Sequence, residues 1–371
     1  MLKERKNIDF FFCISIIVLV LFSGFYPSKI RYYPAYIDWE TISLLTGLFI
    51  ITTGLKMSNF FYSVSKRMVK RVRYESTLAF LLVSISAVFS MFLTNDISIL
   101  IVVPLTLSLS EIIKNDTGKL IILEIIAVNV GSLLSPIGNP QNIYIWHKWH
   151  VPFFEFILKM FPLFAALFLL LFIFTFVMSK KTSLFFRAVN NNVETDRKLL
   201  FLSIFSFIVF IVSEELHAAL YVLPVIFLVY LIFFREVLKK TNWSLVILFA
   251  VLFIDIHMLS DLSLIDKLLC SFKLNNVYNL YSSGILLSQM ISNVPATLLL
   301  ADYNVNWMVL AYAVNIGGSG IVTGSLANLI ALRLVDSKNI FMRFHKYSFI
   351  YLLLSAGIGI FLLSCMPSTY A

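Results

Sequence analysis

The chain has 371 residues, 60% of them hydrophobic and only 13% charged, with a formal net charge of +9. Soluble domains carry roughly 25% charged residues, and apolar runs of spanning length recur from residue 9 to residue 366, which excludes a soluble enzyme held by one anchor. The basic residues form separate clusters rather than one patch, so the positive charge reads as a topology signal and not as a nucleic-acid surface.

In chain order, Lys3, Arg5 and Lys6 precede an apolar run over residues 10–22. No small-x-small cleavage site follows at Ser23-Gly24-Phe25-Tyr26, so the segment reads as an uncleaved first helix. Spans are predicted near 9–26, 37–57, 119–149, 155–178, 197–213, 216–235, 243–260, 306–333 and 347–366. Residues 58–74 mix Phe60, Phe61, Val64 and Val69 with basic residues, the pattern of an amphipathic helix on the inner membrane surface. It serves either as an arm bracing its neighbour or as a surface connector. Regions 76–113 and 277–302 are apolar but interrupted near the middle, by Thr94-Asn95-Asp96 and by Ser292-Asn293.

Charge sets the topology. Lys66, Arg67, Lys70, Arg71 and Arg73 lie before region 76–113, and Lys114 and Lys119 lie after it. Both clusters belong inside, so the region is expected to be a re-entrant hairpin. The same rule puts Lys180, Lys181, Arg187, Arg235, Lys239, Lys240, Arg333 and Lys346 inside, with Glu214, Glu215 and Asp261 outside. The N-terminus is then inside and the C-terminus outside. The cysteines, Cys13, Cys270 and Cys365, form no disulfide or zinc pattern.

Three elements occur twice. SMFLTNDISIL (90–100) matches SQMISNVPATL (288–298). NVGSLLSPIGNPQNI (129–143) matches NIGGSGIVTGSLANL (315–329), identical at Asn129/Asn315, Gly131/Gly317, Gly138/Gly324 and Asn142/Asn328. Asp38-Trp39 leads into one span as Asn242-Trp243 leads into another, the first from outside and the second from inside. The halves therefore read as an inverted repeat. The predicted fold is an all-α integral membrane protein with about nine spanning helices, two re-entrant hairpins and two broken helices. The first repeat is 1–178 (hairpin 76–113, broken helix 119–149), the cytoplasmic linker 179–198, and the second repeat 199–371 (hairpin 277–302, broken helix 306–333).

Backbone that leaves helical form at membrane depth persists only inside protein or beside a watery cavity. Unpaired carbonyls at a break coordinate cations, and half-helix N-termini hold anions. Thr94, Asn95, Asp96, Ser135, Pro136, Gly138, Asn139, Pro140 and Asn142 thus form one expected half-site. Ser292, Asn293, Thr297, Thr323, Gly324, Ser325 and Asn328 form its counterpart. Asp96 is the leading ionisable candidate because it sits on a break. Glu124 is expected near the inner interface beside Lys119, and Asp255 and His257 in an outer cluster with Asp261. His147 and His150 flank Trp149 in an expected interfacial aromatic belt. No Walker A, H-E-x-x-H or G-x-S-x-G motif is present, which speaks against an ATP-driven pump or an intramembrane hydrolase.

The motifs LTND with Pro104, NVGSLLSPIGNPQN, SNVPATLLL and NIGGSGIVTGSLAN resemble those of the ion transporter superfamily, over nearly the whole chain and in the same order. Among its members the chain is most similar to the citrate-transporter-like bacterial anion permeases. The resemblance implies a scaffold, a moving transport domain that holds both hairpins, and a homodimer. It also implies sodium at Thr94, Asn95 and Asn139 and at Ser292, Asn293 and Ser325. In the dicarboxylate branch each hairpin tip reads Ser-Asn-Thr; here the tips read Thr94-Asn95-Asp96 and Ser292-Asn293-Val294. The final threonine is missing from both, and Asp96 places negative charge where a dicarboxylate would approach. The expected function is a secondary active permease for a small anion in the cytoplasmic membrane, coupled to sodium or protons and without a resident cofactor. The alternatives are a sodium/proton antiporter, motivated by Asp96 and Asp255, and a passive channel.

Overall fold

A computed structural model describes residues 10–69, 72–108, 117–179, 194–303, 305–335 and 339–365. Most of the predicted linker, and Lys70, Arg71 and Lys114, lie outside the described residues. α1 (Phe10–Phe25) passes through a 3₁₀ turn (Pro27–Tyr32) into α2 (Tyr33–Tyr36), with a bend of 116°. There follow α3 (Trp39–Met57), α4 (Phe60–Val69), α5 (Glu75–Phe92), α6 (Asn95–Ser108), α7 (Thr117–Ser132), α8 (Pro140–Lys148) and α9 (Phe153–Met178). Beyond the linker come α10 (Arg197–Glu215), α11 (Ala219–Phe233), α12 (Arg235–Lys240), α13 (Trp243–Ser260) and α14 (Ser263–Ser271). The chain ends with α15 (Val277–Ile291), α16 (Asn293–Ala301), α17 (Trp307–Gly317), a 3₁₀ turn (Val322–Gly324), α18 (Leu326–Arg333) and α19 (Ile340–Ser364).

Five helices, α3, α5, α9, α13 and α19, are long and apolar enough to cross a bilayer alone, or up to six if the bent α1–α2 pair counts as one span. The sequence reading of about nine includes α10, whose ends carry Arg197, Lys198, Glu214 and Glu215, and the 15-residue α11. It also joins α7 to α8 and α17 to α18, none of which reaches spanning length alone. α5 has 18 residues, roughly 27 Å of helix, so this arm of the expected hairpin matches a full span in length while α6 has only 14. α19 begins seven residues before the predicted 347, taking Arg343 and Lys346 into its first turns; their long stems let a helix continue while the charges reach water.

The helices pack in two sets. α5, α6, α7, α8 and α9 assemble with α15–α19, while α1, α3, α10, α11 and α13 pack on one another. α3 and α13 face α8 and α16 across the junction. Polar residues within these apolar helices are satisfied locally: Thr46, Thr52, Thr175 and Ser355 each donate to the carbonyl four residues earlier. That arrangement suits helices without water. α4 packs on α5 and α6, with the Phe61 ring edge-on to Phe89 at 4.7 Å, so it contacts the first hairpin directly. The end of the linker is tied to the same corner, where the Asp196 N–H donates to the Ser58 carbonyl (3.0 Å).

Candidate functional site

Both hairpins turn at the residues where polarity interrupts the sequence. α5 ends at Phe92 and α6 begins at Asn95; α15 ends at Ile291 and α16 begins at Asn293. Both long helices end on paired breaks as well, between Ser132 and Pro140 and between Gly317 and Leu326. Pro140 opens α8 because its fixed φ and missing N–H suit a first helical position. Asn139 caps that helix by accepting from the Asn142 N–H (2.9 Å).

The glycines hold each break against its hairpin. A methyl group at Gly131 would collide with the Ala87 carbonyl and Ser90 Oγ, and one at Gly317 would collide with Ser288. Ser90 and Ser288 are the matched serines of the repeat, so the same close approach of α7 to α5 recurs between α17 and α15. Gly138 lies against the Ser132 carbonyl as Gly324 lies against the Gly317 carbonyl.

Four asparagines connect the breaks. Asn129 Nδ2 donates to Asn328 Oδ1 (2.8 Å), and Asn315 Nδ2 donates to Asn142 Oδ1 (2.7 Å). Because Asn129 matches Asn315 and Asn142 matches Asn328, these are one bond made twice. The correspondence extends further: Asn142 Nδ2 donates to the Ser132 carbonyl (3.2 Å) and Asn328 Nδ2 to the Gly318 carbonyl (2.8 Å), residues at one repeat spacing. Asn139 Nδ2 adds a bond to Asn315 Oδ1 (2.9 Å). Sequence reasoning aligned Asn129 and Asn315 but left them out of the site; their identity in both copies was the available signal. The matched tryptophans repeat in the same way, since Trp39 and Trp243 each donate from the ring to the carbonyl five residues earlier.

The remaining expected residues fall in three groups. Thr94 and Asp96 line a cavity of about 810 Å³, bounded also by Phe49, Thr53, Lys56, Lys239 and Lys240. Asn95 is fixed beside it, its N–H donating to the Gly138 carbonyl (2.8 Å) and its Oδ1 accepting from the Asp96 N–H (3.0 Å). The buried hydroxyls of Thr94 and Ser98 have no hydrogen-bond partner among the described residues, and Ser98 was not foreseen. A second group is already engaged within the protein. Ser135 Oγ donates to the Met91 carbonyl, Thr297 Oγ1 to the Asn293 carbonyl and Thr323 Oγ1 to the Gln289 carbonyl. Asn139, expected to hold sodium, uses its oxygen as the α8 cap and its amide on Ser132 and Asn315. The third group shapes backbone: Pro136 lies buried in the first break, Ser325 is extended at the start of α18, and Asn293 sits against Gly318.

At the other ends of α3 and α13 a smaller pocket of about 260 Å³ is lined by Tyr36, Asp38, Tyr144, Lys148, His257 and Asp302. Lys148 bridges it, 3.2 Å from Asp302 and 3.0 Å from the Tyr144 hydroxyl. Several expectations for outlying residues change here. His147 places its Nδ1 2.7 Å from Glu214 and its Nε2 3.4 Å from Glu40, and its ring meets His150 edge-on, so carboxylates join the expected aromatic neighbours. His257 stacks on Tyr36 (4.0 Å), Asp261 pairs with Lys29 (2.7 Å), and Asp255 is buried. Glu124 does not pair with Lys119 at an interface; it is completely buried between α6 and α7.

Residues 1–306 match the family model described as CitMHS, citrate transporter. The chain is 38% identical over 360 residues to the inner membrane protein YbiR of Escherichia coli, covering 97% of each chain. It is 33% identical over 322 residues, 86% of each chain, to a protein of Methanocaldococcus jannaschii named as an uncharacterized transporter. A 46 kDa membrane protein of Mycobacterium leprae is 24% identical over 351 residues, 84% of this chain and 82% of its own. Several long apolar helices, helix breaks joined in matched pairs and these relatives agree: the chain is a multi-pass membrane transporter, not an enzyme, and belongs to the CitMHS citrate transporter family.

Proposed function

We propose that the protein is a secondary active permease that moves a small anion, a carboxylate or an inorganic oxyanion, across the cytoplasmic membrane by alternating access coupled to sodium or protons. One observation carries this reading. The cavity of about 810 Å³ reaches Thr94 and Asp96 at the first hairpin tip, while the pocket at the opposite ends of α3 and α13 is smaller, about 260 Å³, and bridged by Lys148 and Asp302. A broken-helix site open to one side and narrowed on the other is what alternating access requires of a single state.

The chemistry of the lining supports an anion. Lys56, Lys239 and Lys240 put positive charge along the cavity, which raises the local concentration of anions. The N-termini of α6 and α8 add aligned N–H dipoles close to the breaks. The hydroxyls of Thr94 and Ser98 are neutral oxygen ligands of the kind a hard cation takes. The duplicated glycine, asparagine and tryptophan contacts support halves 1–178 and 199–371 as inverted copies. In that arrangement the cavity with the lysine lining faces the cytoplasm, in keeping with an N-terminus inside and a C-terminus outside.

Uptake of labelled citrate, other carboxylates and phosphate into proteoliposomes, under imposed sodium or pH gradients, tests the reading. Accumulation that follows one gradient is expected; accumulation of none of the anions under any gradient would reject it. Asp96 lends weight to a second reading, a sodium/proton antiporter. That reading requires dequenching of a pH-sensitive dye on sodium addition without any anion, and its loss in Asp96→Asn.

A further inference from the structure

Glu124 has no part in the site described above, yet its surroundings are unusual for a carboxylate. It lies on α7 seven residues from the first residue of that helix, about 10 Å along the axis, and has 0% exposure. Oε1 accepts from Thr106 Oγ1 on α6 at 2.5 Å, and Oε2 has no hydrogen-bond partner among the described residues.

The charged and titratable groups on the elements packed against α7 are few. α5 brings Glu75, α6 Asp96, α9 Glu155 and Lys159, α18 Arg333, and α19 Arg343, His345, Lys346, Tyr347 and Tyr351; Lys119 is on α7 itself. None of the ion pairs among the described residues involves Glu124. An ionised carboxylate buried with one hydroxyl contact, and with no cation paired to it among the described residues, is an uncompensated charge, the most unfavourable arrangement in a protein interior. A neutral carboxylic acid meets no such penalty. The threonine hydroxyl suits both protonation states, because its O–H donates to a carboxylate and its lone pairs accept from an acid. Glu124 also belongs to the helix set that carries both hairpin tips and the asparagine network, whereas Asp255, a buried carboxyl as well, is on α13 in the opposite set.

We propose that Glu124 is a proton-binding site on the helix set that carries both hairpins, a neutral acid in this state, whose proton crosses the membrane with the transported anion. Hydronium on one side gives up an O–H proton to the Glu124 carboxylate and leaves water; on the other side, after alternating access, the acid's O–H breaks and its proton passes to water, restoring the carboxylate. This deepens the permease reading and rests on it.

Two measurements on the purified full chain test the assignment. Infrared difference spectra between wild type and Glu124→Gln at neutral pH should contain the carbonyl stretch of a protonated carboxylic acid, shifted in heavy water. Absence of that band, with an ionised carboxylate band in its place, would overturn the proposal whether or not the protein carries citrate. In proteoliposomes, Glu124→Gln should keep exchange of labelled citrate while losing at least about tenfold of the accumulation driven by a pH gradient, the signature of uncoupling and not of misfolding. Accumulation equal to wild type would reject the coupling role. If Glu124→Gln does not fold, Thr106→Val serves instead: removing the hydroxyl should shift the acid band, and an unchanged band would count against the assignment. A chain that moves no anion refutes the permease reading, while the infrared result still decides the protonation of Glu124.

Discussion

The two helix breaks are built from matching residues but stand in different surroundings. The first, between Ser132 and Asn139, is buried except for half-buried Leu134. Its polar groups are met by the Asn142 and Asn139 amides and by the first hairpin, where Ser135 donates to the Met91 carbonyl and the Asn95 N–H to the Gly138 carbonyl. The second break surfaces at Ile321, and its backbone is held from outside. Gly320 N–H donates to Ser348 Oγ, Ile321 N–H to Gln289 Oε1 and Val322 N–H to His345 Nε2. The tips differ in the same sense, since Thr94 and Asp96 line the large cavity and neither Ser292 nor Asn293 does. One sequence device thus yields a buried half-site bonded to its own hairpin and a partly surfaced half-site fastened by α15 and α19. Under the proposed alternating access a single state should show that asymmetry, because two matched halves would face different surroundings at any moment.

The largest effects should come from the glycines, where the halves are most alike. Gly131→Ala and Gly317→Ala each force a methyl group into packed atoms of the facing hairpin helix, and both should destabilise by about 1–3 kcal/mol or more. Gly131→Ala should be the worse, because it meets the Ala87 backbone, whereas Gly317→Ala meets the Ser288 side chain first. Thermal unfolding in detergent reads this, and equal shifts would mean that the second break is as rigid as the first.

Next come the asparagines. Asn315→Ala leaves Asn142 Oδ1 unpaired and also takes one of the two partners of the Asn139 amide, which keeps Ser132; Asn129→Ala leaves mainly Asn328 Oδ1 unpaired. An unsatisfied buried group costs about 1–3 kcal/mol, so both should lower the melting temperature and Asn315→Ala should lower it further. A reversed order would show that the cross-links carry unequal strength for reasons other than their number of partners.

The smallest expected change is a gain. Ser292 adopts φ +77° and ψ 155°, a region that side chains rarely enter, and such strain amounts to about 1–3 kcal/mol. The first tip has no such residue: Leu93 is extended, at φ −111°. Ser292→Gly should therefore raise the melting temperature slightly, while Thr94→Gly should not. A loss of stability in Ser292→Gly would indicate that the hydroxyl matters more than the backbone.

Much of the organisation was legible in the chain. Apolar runs longer than a bilayer is thick can only be buried in lipid or protein, so α3, α9, α13 and α19 could be located from composition, and α1 nearly so. The breaks were equally legible: glycine, proline and asparagine at matched spacing inside such runs leave no regular helix to form, and the hairpin turns fall at Thr94 and Ser292 as expected. Repetition made Asn142 and Asn328 visible as a pair. What the pairing was for lay beyond the sequence. Asn129 meets Asn328 and Asn315 meets Asn142 only because α7–α8 and α17–α18 come together, bringing residues 173 and 199 positions apart within hydrogen-bond distance. Residue type states which bonds an asparagine can make; the tertiary fold alone determines whether its amide is used on another asparagine, as at position 139, or left facing a cavity. The same holds for carboxylates. Asp96 and Glu124 were both marked as acids in an apolar stretch, but only three-dimensional packing put one on a cavity wall and sealed the other between two helices, because solvation depends on every neighbour and not on adjacent residues along the chain.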